Sequence, residues 1–284
     1  MSDNKSSTDA PDTGHVWDGN LRELTNQPPA WWMNTLYLSA IFLVVYFILY
    51  PSIPLINDST KGVLGWTQMK RLQESIGEIE AVRAPYENKL KGMSALAILD
   101  DQELTNYTIR SAKVLFGDRC AACHGTGGAG NPGYPVLADD DWLYGGTIET
   151  IQQSISNGRA GMMPGFANML TEQELNDLAQ HMSELSKGKS HEAGKALFTS
   201  KGCIGCHGMD GKGIQAMGAA NLTDAIWRFS PGTEQSIKYT ISMGVNAPGA
   251  KETREAIMPS FKEQLSETDI KKLAVYVYKL GGGQ

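Results

Sequence analysis

Hydrophobic and polar positions divide the chain into a polar start, one long apolar run and a C-terminal region of amphipathic repeats. The first 27 residues are polar, rich in Ser, Asp, Asn and Gly and without helical periodicity, so we expect no regular structure there. Residues 31–50 then read WWMNTLYLSAIFLVVYFILY, which at ~1.5 Å per residue spans about 30 Å, the thickness of a bilayer's hydrocarbon core. Trp31 and Trp32 at one end and Tyr46 and Tyr50 near the other suit the two interfaces.

This apolar run predicts a transmembrane helix over residues 31–54, preceded by an N-terminal segment over residues 1–30. A buried helix of a soluble domain is the alternative, but no other part of the chain is apolar enough to enclose it. The start of the chain lacks the charged region and the small-residue cleavage site of a signal peptide, so we expect an uncleaved anchor.

A connector over residues 55–103 follows Pro51 and Pro54. Within it, apolar residues at three- and four-residue steps predict a short amphipathic helix that ends at Pro85. The apolar stripe consists of Met69, Leu72, Ile76 and Ile79. A lone stripe has little to bury itself against, so the pattern favours contact with a partner subunit over a self-contained stalk.

Two copies of one unit make up the rest of the chain, over residues 104–188 and 189–284. The clearest match is between LTEQELNDLAQHMSEL at 170–185 and LSETDIKKLAVYVYKL at 265–280. Each copy predicts a helix, a cysteine loop, a short helix, a methionine loop and a closing helix that opens on a capping pattern. No strand pattern of useful length occurs, so the sequence predicts an all-α fold.

The two copies differ by an insertion. SISNGR at 154–159 aligns with TISMGV at 240–245, and the offset between copies grows from 83 at the first cysteines to 95 at the closing helices. We place the extra residues between Gly244 and Met258.

Each copy carries a C-x-x-C-H run, CAACH at 120–124 and CIGCH at 203–207. This run is the attachment signature of a c-type haem, because thiols about one helical turn apart reach both vinyl groups of one porphyrin and the histidine then lies under the iron. Structural zinc needs other spacings, and a thioredoxin-like pair has no reason to carry a histidine twice. The predicted thioether residues are Cys120, Cys123, Cys203 and Cys206, and the predicted proximal ligands are His124 and His207.

The sixth iron ligands are predicted to be Met163 and Met258, each followed by a proline that stiffens its loop. Ordinary core methionines, the neighbouring Met162, and a bis-histidine site using His181 or His191 are the alternatives. A thioether raises the potential of the iron and fills its last position, so both haems should carry single electrons and bind no oxygen. The sequence offers no acid, base or nucleophile set for bond chemistry. Four aromatic residues are expected to pack on the porphyrins, namely Phe116, Trp142, Phe198 and Trp227.

Composition narrows the function further. A net charge of −6 and a pI near 5.4 argue against nucleic acid as a partner, and haem attachment uses all four cysteines. The first copy carries five basic and nine acidic residues, a net −4, and the second twelve and nine, a net +3. This asymmetry is either an ordinary solvated surface or a means of steering one haem toward a donor and the other toward a membrane partner.

The run HVWDGNLRELTNQPPAWW at 15–32, then GWTQMKR at 65–71, then two haem units, resembles the dihaem c-type subunit (CcoP or FixP) of cbb3-type cytochrome c oxidases. The resemblance implies one transmembrane helix and two tandem class I cytochrome c domains with two covalently bound haem c groups. It also implies electron transfer from a soluble or membrane-bound cytochrome c donor to a monohaem subunit and the catalytic haem-copper subunit. By this resemblance Cys120, Cys123, His124 and Met163 hold one haem, and Cys203, Cys206, His207 and Met258 hold the other. The chain departs from some relatives in lacking a second membrane helix before the D-G motif and in its longer second methionine loop.

Covalent haem in this class lies on the outer side of an energy-transducing membrane. We therefore expect a bacterial inner-membrane protein with residues 1–30 in the cytoplasm and a periplasmic linker and haem domains. A cytochrome subunit of a periplasmic dehydrogenase or nitric-oxide reductase is the second hypothesis, and a gas-binding haem sensor is the third. Under the expected pairing, Met258→His lowers the potential of the second haem and slows oxygen uptake.

Overall fold

The computed structural model describes residues 11–229 and 231–281, which form two compact units, one up to Val82 and one from Arg83 onward. The helices are α1 (Ala30–Leu49), α2 (Gln68–Lys91), α3 (Ala95–Asp100), α4 (Gln102–Arg119), α5 (Ala121–His124), α6 (Ile148–Asn157), α7 (Glu172–Leu185), α8 (Glu192–Ser200), α9 (Ile204–His207), α10 (Glu234–Met243) and α11 (Glu267–Tyr278). Two short antiparallel pairs join β1 (Asp12–Trp17) to β2 (Leu21–Leu24) and β3 (Arg159–Ala160) to β4 (Ile257–Met258). The predominantly helical prediction is confirmed, with the predicted order of elements in each copy.

The first unit begins with the β1–β2 hairpin, so the expectation of no regular structure is wrong for this part of the segment, while residues 1–10 lie outside the described residues. The turn is formed by Asp18 and Gly19, which both have positive φ. An Asp-Gly pair in this conformation matches the twist of a two-stranded hairpin. Arg22 closes the hairpin through a 2.7 Å ion pair with Asp12.

Helix α1 is the only described helix long and apolar enough to cross a membrane, and none of its residues is buried within the protein. It ends at Leu49, five residues before the predicted boundary at residue 54. Tyr50 is extended (φ −117°, ψ 156°) because the ring of Pro51 disfavours helical geometry in the residue before it.

Helix α2 does not stop at Pro85 as predicted but continues to Lys91. The proline removes one helical hydrogen bond, and the residues beyond it are held by packing instead. Leu90 is fully buried, and the Tyr86 ring stacks on Tyr107 of α4 at 4.5 Å. The predicted apolar stripe at the start of α2 is exposed.

The second unit contains two hydrophobic cores, and each core takes its closing helix from the other sequence copy. The first core, with α4 and α6 of the first copy, is completed by α11 of the second copy. The second core, with α8 and α10 of the second copy, is completed by α7 of the first copy. The boundaries 104–188 and 189–284 therefore describe sequence repeats, and neither repeat builds a core alone.

The exchange begins at the methionine loops. Met258 pairs with Arg159, directly after α6, and Met163 pairs with Val245, directly after α10. Three residues further on, equivalent backbone bonds follow: the Phe261 amide donates to the Ile155 carbonyl, and the Phe166 amide donates to the Ile241 carbonyl. Each loop thus runs along the short helix of the opposite copy.

Two glycines permit these close crossings. Gly158 and Gly244 have φ of +71° and +73°, and a Cβ at either position would overlap the carbonyl oxygen of Met258 or Met163, respectively. Both the backbone conformation and the contact therefore require glycine. Since their offset is 86, nine of the twelve extra residues lie in the loop before Met258, and the sequence comparison placed three too many there.

Candidate haem sites

The two C-x-x-C-H runs form single helical turns at the ends of the first helices of their copies. The His124 amide donates to the Cys120 carbonyl at 2.9 Å, and the His207 amide donates to the Cys203 carbonyl at 3.0 Å. Cys120 packs against the first core and Cys203 against the second. Each predicted attachment motif is therefore presented on the edge of one core.

Both histidine rings are oriented by a backbone carbonyl. His124 Nδ1 lies 3.1 Å from the Pro135 carbonyl oxygen, and His207 Nδ1 lies 3.0 Å from that of Ala220. An Nδ1–H donated to a carbonyl leaves Nε2 as the metal-binding nitrogen. Burial lowers the pKa of both rings, so both are neutral at pH 7, the form that binds a metal.

The cysteines lack the electrostatics of a redox pair. Burial raises the pKa of Cys120 to about 11, with a smaller contribution from Cys123, and burial also raises the pKa of Cys203. Reactive dithiols instead have a lowered pKa. Among residues 11–229 and 231–281, no group of three His, Cys, Asp or Glu side chains is placed to hold a metal ion.

The structure places each predicted methionine ligand in the core of the other copy, not in the core of its own copy. Met258 packs against the first core together with Cys120, and Met163 packs against the second core together with Cys203. Because the closing segments are exchanged, the structure does not bring the methionine of either copy to the core of that copy's cysteines, which differs from the pairing that the resemblance implies. Met162 has 60% of its surface exposed and belongs to neither core.

The two alternative histidine ligands have other partners. His191 is the N-cap of α8, where its Nδ1 accepts the Gly194 amide at 3.3 Å. The buried His181 accepts the His191 amide through Nδ1 at 3.3 Å. These contacts join α7 to α8, so both histidines have a structural role at the boundary between the copies.

The four predicted aromatic residues divide between the cores as expected from their copies. Phe116 and Trp142 belong to the first core, and Phe198 and Trp227 belong to the second. The Phe198 ring lies 6.3 Å from the His207 ring.

Three arginines near these sites were not predicted from the sequence. The guanidinium of Arg159 lies 4.4 Å from the Tyr144 ring centre, and that of Arg254 lies 4.8 Å from the Phe229 ring centre. Arg228 of the second copy lies close enough to His124 of the first to contribute to its lowered pKa. Of the three, only Arg159 could have been predicted from the sequence, because it follows Gly158 directly after α6. Nothing in the local sequence indicates a role for Arg228 or Arg254.

The residues fit a covalently bound haem at each core. At each core, two thiols on one helical turn would supply the covalent attachment. The neutral imidazole, fixed through its Nδ1, and the methionine in the same core would supply the two iron ligands. In addition, the Arg254 Nε is buried without a hydrogen-bond partner, which suits an anionic group at the second site.

Comparison with known proteins gives matches along nearly the whole chain. Three family models match: the N-terminal domain of cytochrome oxidase-cbb3, FixP, at residues 9–57, subunit III of cbb3-type cytochrome c oxidase at 108–182, and cytochrome c at 191–281. The cbb3-type cytochrome c oxidase subunit FixP of Azorhizobium caulinodans is 39% identical over 96% of this chain and 93% of its own length. Subunit FixPc of Rhizobium leguminosarum is 36% identical over 95% of each chain, and subunit CcoP of Cereibacter sphaeroides is 36% identical over 96% of this chain.

Proposed function

Because the chain belongs to the FixP/CcoP family of cbb3-type cytochrome c oxidase subunits, we propose that it takes electrons from a cytochrome c donor and passes them through a monohaem subunit to the haem-copper subunit. It is a membrane-anchored electron-transfer subunit with two covalently bound haem c groups. Nothing in these comparisons supports a dehydrogenase or nitric-oxide reductase subunit.

The iron ligands follow from the exchanged cores. The first haem is attached at Cys120 and Cys123 and its iron is held by His124 and Met258. The second is attached at Cys203 and Cys206 and held by His207 and Met163. The packing of each methionine beside the cysteine of the other copy is the observation that supports this assignment.

A haem held by these residues would supply one-electron chemistry through its iron. The protein supplies the conditions for this: a thioether that raises the potential, a carbonyl that fixes the imidazole, and buried aromatic residues that limit access of water. With both axial positions filled by His and Met, neither site should bind oxygen or another gas, in contrast to a haem sensor.

The membrane orientation is part of the same proposal. Helix α1 crosses the bacterial inner membrane with residues 1–30 in the cytoplasm, and the unit that begins at Arg83 lies in the periplasm, where a cytochrome c donor can reach it. Protease treatment of intact spheroplasts checks this orientation: the haem-bearing fragment is released into the medium, whereas a cytoplasmic fragment stays protected.

The electron-transfer role is tested in the assembled oxidase. Purification through a tag on this chain should recover the haem-copper subunit, with two covalent haems per copy of the chain and oxygen uptake driven by reduced cytochrome c. Recovery of a dehydrogenase, or haem that organic solvent extracts after denaturation, would refute the role.

The ligand assignment is tested by Met258→His, with Met163→His as the matched variant. A Cys120→Ala change marks the first haem, because one vinyl group then stays conjugated and its absorption moves to longer wavelength. We expect Met258→His to lower the potential of the marked haem and to slow oxygen uptake, since imidazole replaces the thioether. If Met258→His lowers the potential of the unmarked haem instead, each methionine binds the iron of its own copy.

A further inference from the structure

Arg159 and Arg254 occupy equivalent places in the two cores although they are not equivalent in sequence. Alignment of SISNGR with TISMGV places Val245, not Arg254, opposite Arg159. In the structure, Tyr144 lies under Arg159 and Phe229 lies under Arg254. These two rings do match, since each stands two residues after the tryptophan of its copy.

The inserted loop, residues 245–257, carries Arg254 to this place. Arg254 forms a parallel bridge with Val245, and its amide donates to the Gly244 carbonyl at 3.1 Å. Asn246 closes the loop, because its amide donates to the Arg254 carbonyl at 2.8 Å and its side chain donates to the Ala256 carbonyl at 3.0 Å. The loop therefore begins at Val245 and folds back, so that Arg254 lies beside Val245.

Each guanidinium is held on one edge by a serine of the preceding short helix. Arg159 Nε donates to Ser154 Oγ at 2.9 Å, and Arg254 Nη2 donates to Ser236 Oγ at 2.9 Å. The Tyr239 ring also lies under Arg254, at 5.0 Å from its centre. The aromatic faces and the serine contacts fix the plane of each guanidinium. Its remaining N–H groups are then available to donate to another acceptor.

Both arginines are partly buried and have no anionic partner within the described part of the chain. None of the ion pairs formed by residues 11–229 and 231–281 includes Arg159 or Arg254. The Arg254 Nε is buried without any acceptor. A buried donor without an acceptor destabilises the folded protein, the more so when it is charged, so its retention indicates a ligand that supplies the acceptor.

The position of each arginine identifies that ligand. Arg159 is the cross-strand partner of Met258, and Arg254 lies beside Val245, the cross-strand partner of Met163. Each guanidinium is thus next to the methionine of one candidate haem site. The anionic groups of a haem are its two carboxylates, and arginine binds a carboxylate through charge-assisted hydrogen bonds.

We propose that Arg159 binds a carboxylate of the first haem and Arg254 a carboxylate of the second, and that the inserted loop supplies the arginine that the second copy lacks after its short helix. This inference rests on the proposed function and adds to it two positioning residues that tune the haems. A cation held beside the porphyrin favours the ferrous state, which carries one more electron, and so raises the potential of that haem.

The test uses the full-length chain in the oxidase, with Arg254→Gln and Arg159→Gln as matched variants. The second haem is marked by Cys203→Ala, in the same way as the first by Cys120→Ala. We expect Arg254→Gln to make reduction of the second haem at least about threefold less favourable, a fall of ~28 mV at 59 mV per decade, and to leave the first unchanged. Arg159→Gln should lower the reduction potential of the first haem only. Arg254→Lys keeps the positive charge and should therefore leave the reduction potential of the second haem close to that of the unaltered protein.

Unchanged potentials of both haems in Arg254→Gln, with two haems bound per chain, overturn the inference and make Arg254 a loop-stabilising residue. Equal shifts of both haems in either variant also overturn it, because they indicate a general structural change. If Arg254→Gln does not assemble, Arg254→Lys decides through redox-difference infrared spectra: carboxylate bands of an isotopically labelled haem must shift relative to the unaltered protein. A chain that binds no covalent haem in its unaltered form contradicts the proposed function rather than the arginine assignment.

Discussion

Glu174 shows how single side chains hold an exchanged helix in place. This residue lies in the first turn of α7 of the first copy, and its carboxylate accepts a 2.8 Å hydrogen bond from Lys201 of the second copy. It also accepts the Thr171 amide at 2.8 Å, which completes the predicted capping box. A second ion pair joins Glu172 to Lys238 across the same boundary. Charged residues that the sequence presents as surface positions therefore link the two copies.

The hydrogen bonds of Glu174 predict a pH dependence. Those from Lys201 and then Thr171 lower the pKa of Glu174 from 4.5 to about 2. Because the pKa is lower in the folded state, the stabilisation is present above pH 4.5 and is lost as the pH falls toward about 2. We expect Glu174→Gln to flatten the fall in unfolding free energy across this window, measured by denaturant titration at successive pH values.

Glu184→Gln serves as the control, since Glu184 lies on the same helix and its carboxylate accepts a hydrogen bond from Gln180 of that helix. Equal pH profiles for Glu174→Gln and the unaltered protein would show that the bond to Lys201 does not form in solution.

At the scale of elements, α7 and α11 have the same pattern of apolar residues and equivalent places in their sequence copies. Each of them nevertheless packs into the core of the other copy. Leu178 and Leu273 are matched residues of the two helices, with 2% and 0% of their surfaces exposed. The first lies in the second core and the second in the first core. A buried ion pair adds to the docking of α11, where Lys272 contacts Glu87 of α2 at 3.0 Å.

These matched leucines give a test of the exchange. Leu273→Ala and Leu178→Ala should each lower the unfolding free energy by about 2–5 kcal/mol through loss of apolar burial and an internal cavity. We expect Leu273→Ala to perturb the NMR methyl resonances of the haem attached at Cys120 and Cys123, and Leu178→Ala those of the other haem.

A result in which each leucine perturbs only the haem of its own copy would contradict the exchanged packing. Val114→Ala is the control for both, because this residue of α4 is 66% exposed and its truncation should leave both sets of resonances in place.

At the scale of the whole molecule, the exchange changes the charge distribution that the sequence suggests. Counted by copy, the net charges are −4 and +3. Counted by core, residues 83–162 and 258–281 carry eleven basic and twelve acidic side chains, and residues 163–257 carry nine and ten, so each core has a net charge of −1. The difference between the copies therefore gives no net charge difference between the cores and does not by itself direct a donor to one haem.

Interlocked cores also predict cooperative unfolding. Because each core contains segments of both copies, neither can unfold without releasing part of the other. We expect the unit from Arg83 onward to unfold in one transition, with loss of methionine ligation at both haems at the same denaturant concentration. Visible absorption of proteins marked at one haem or the other measures this, and two separated midpoints would indicate independent domains.

The sequence by itself determined the elements of this protein and the chemistry they carry. Spacing along the chain set the apolar span, the helices of both copies, the capping of α7 and α11, and the cysteine, histidine and methionine residues at the candidate sites. These features depend on short-range geometry, in which one turn of helix brings Cys120 near Cys123 and a capping side chain reaches its own helix. The β1–β2 hairpin was also encoded locally, in its Asp-Gly turn, but was not predicted.

Only the tertiary structure decided which segments meet. Two similar copies offer nearly identical apolar faces, so the pattern of α7 or α11 fits either core and cannot specify its partner. The choice depends on long-range contacts: Gly158 and Gly244 at the crossings, Glu174 with Lys201, and the loop that returns Arg254 beside Val245. Hydrophobic burial is nondirectional, and for this reason the packing, rather than the periodicity, places each methionine in its core.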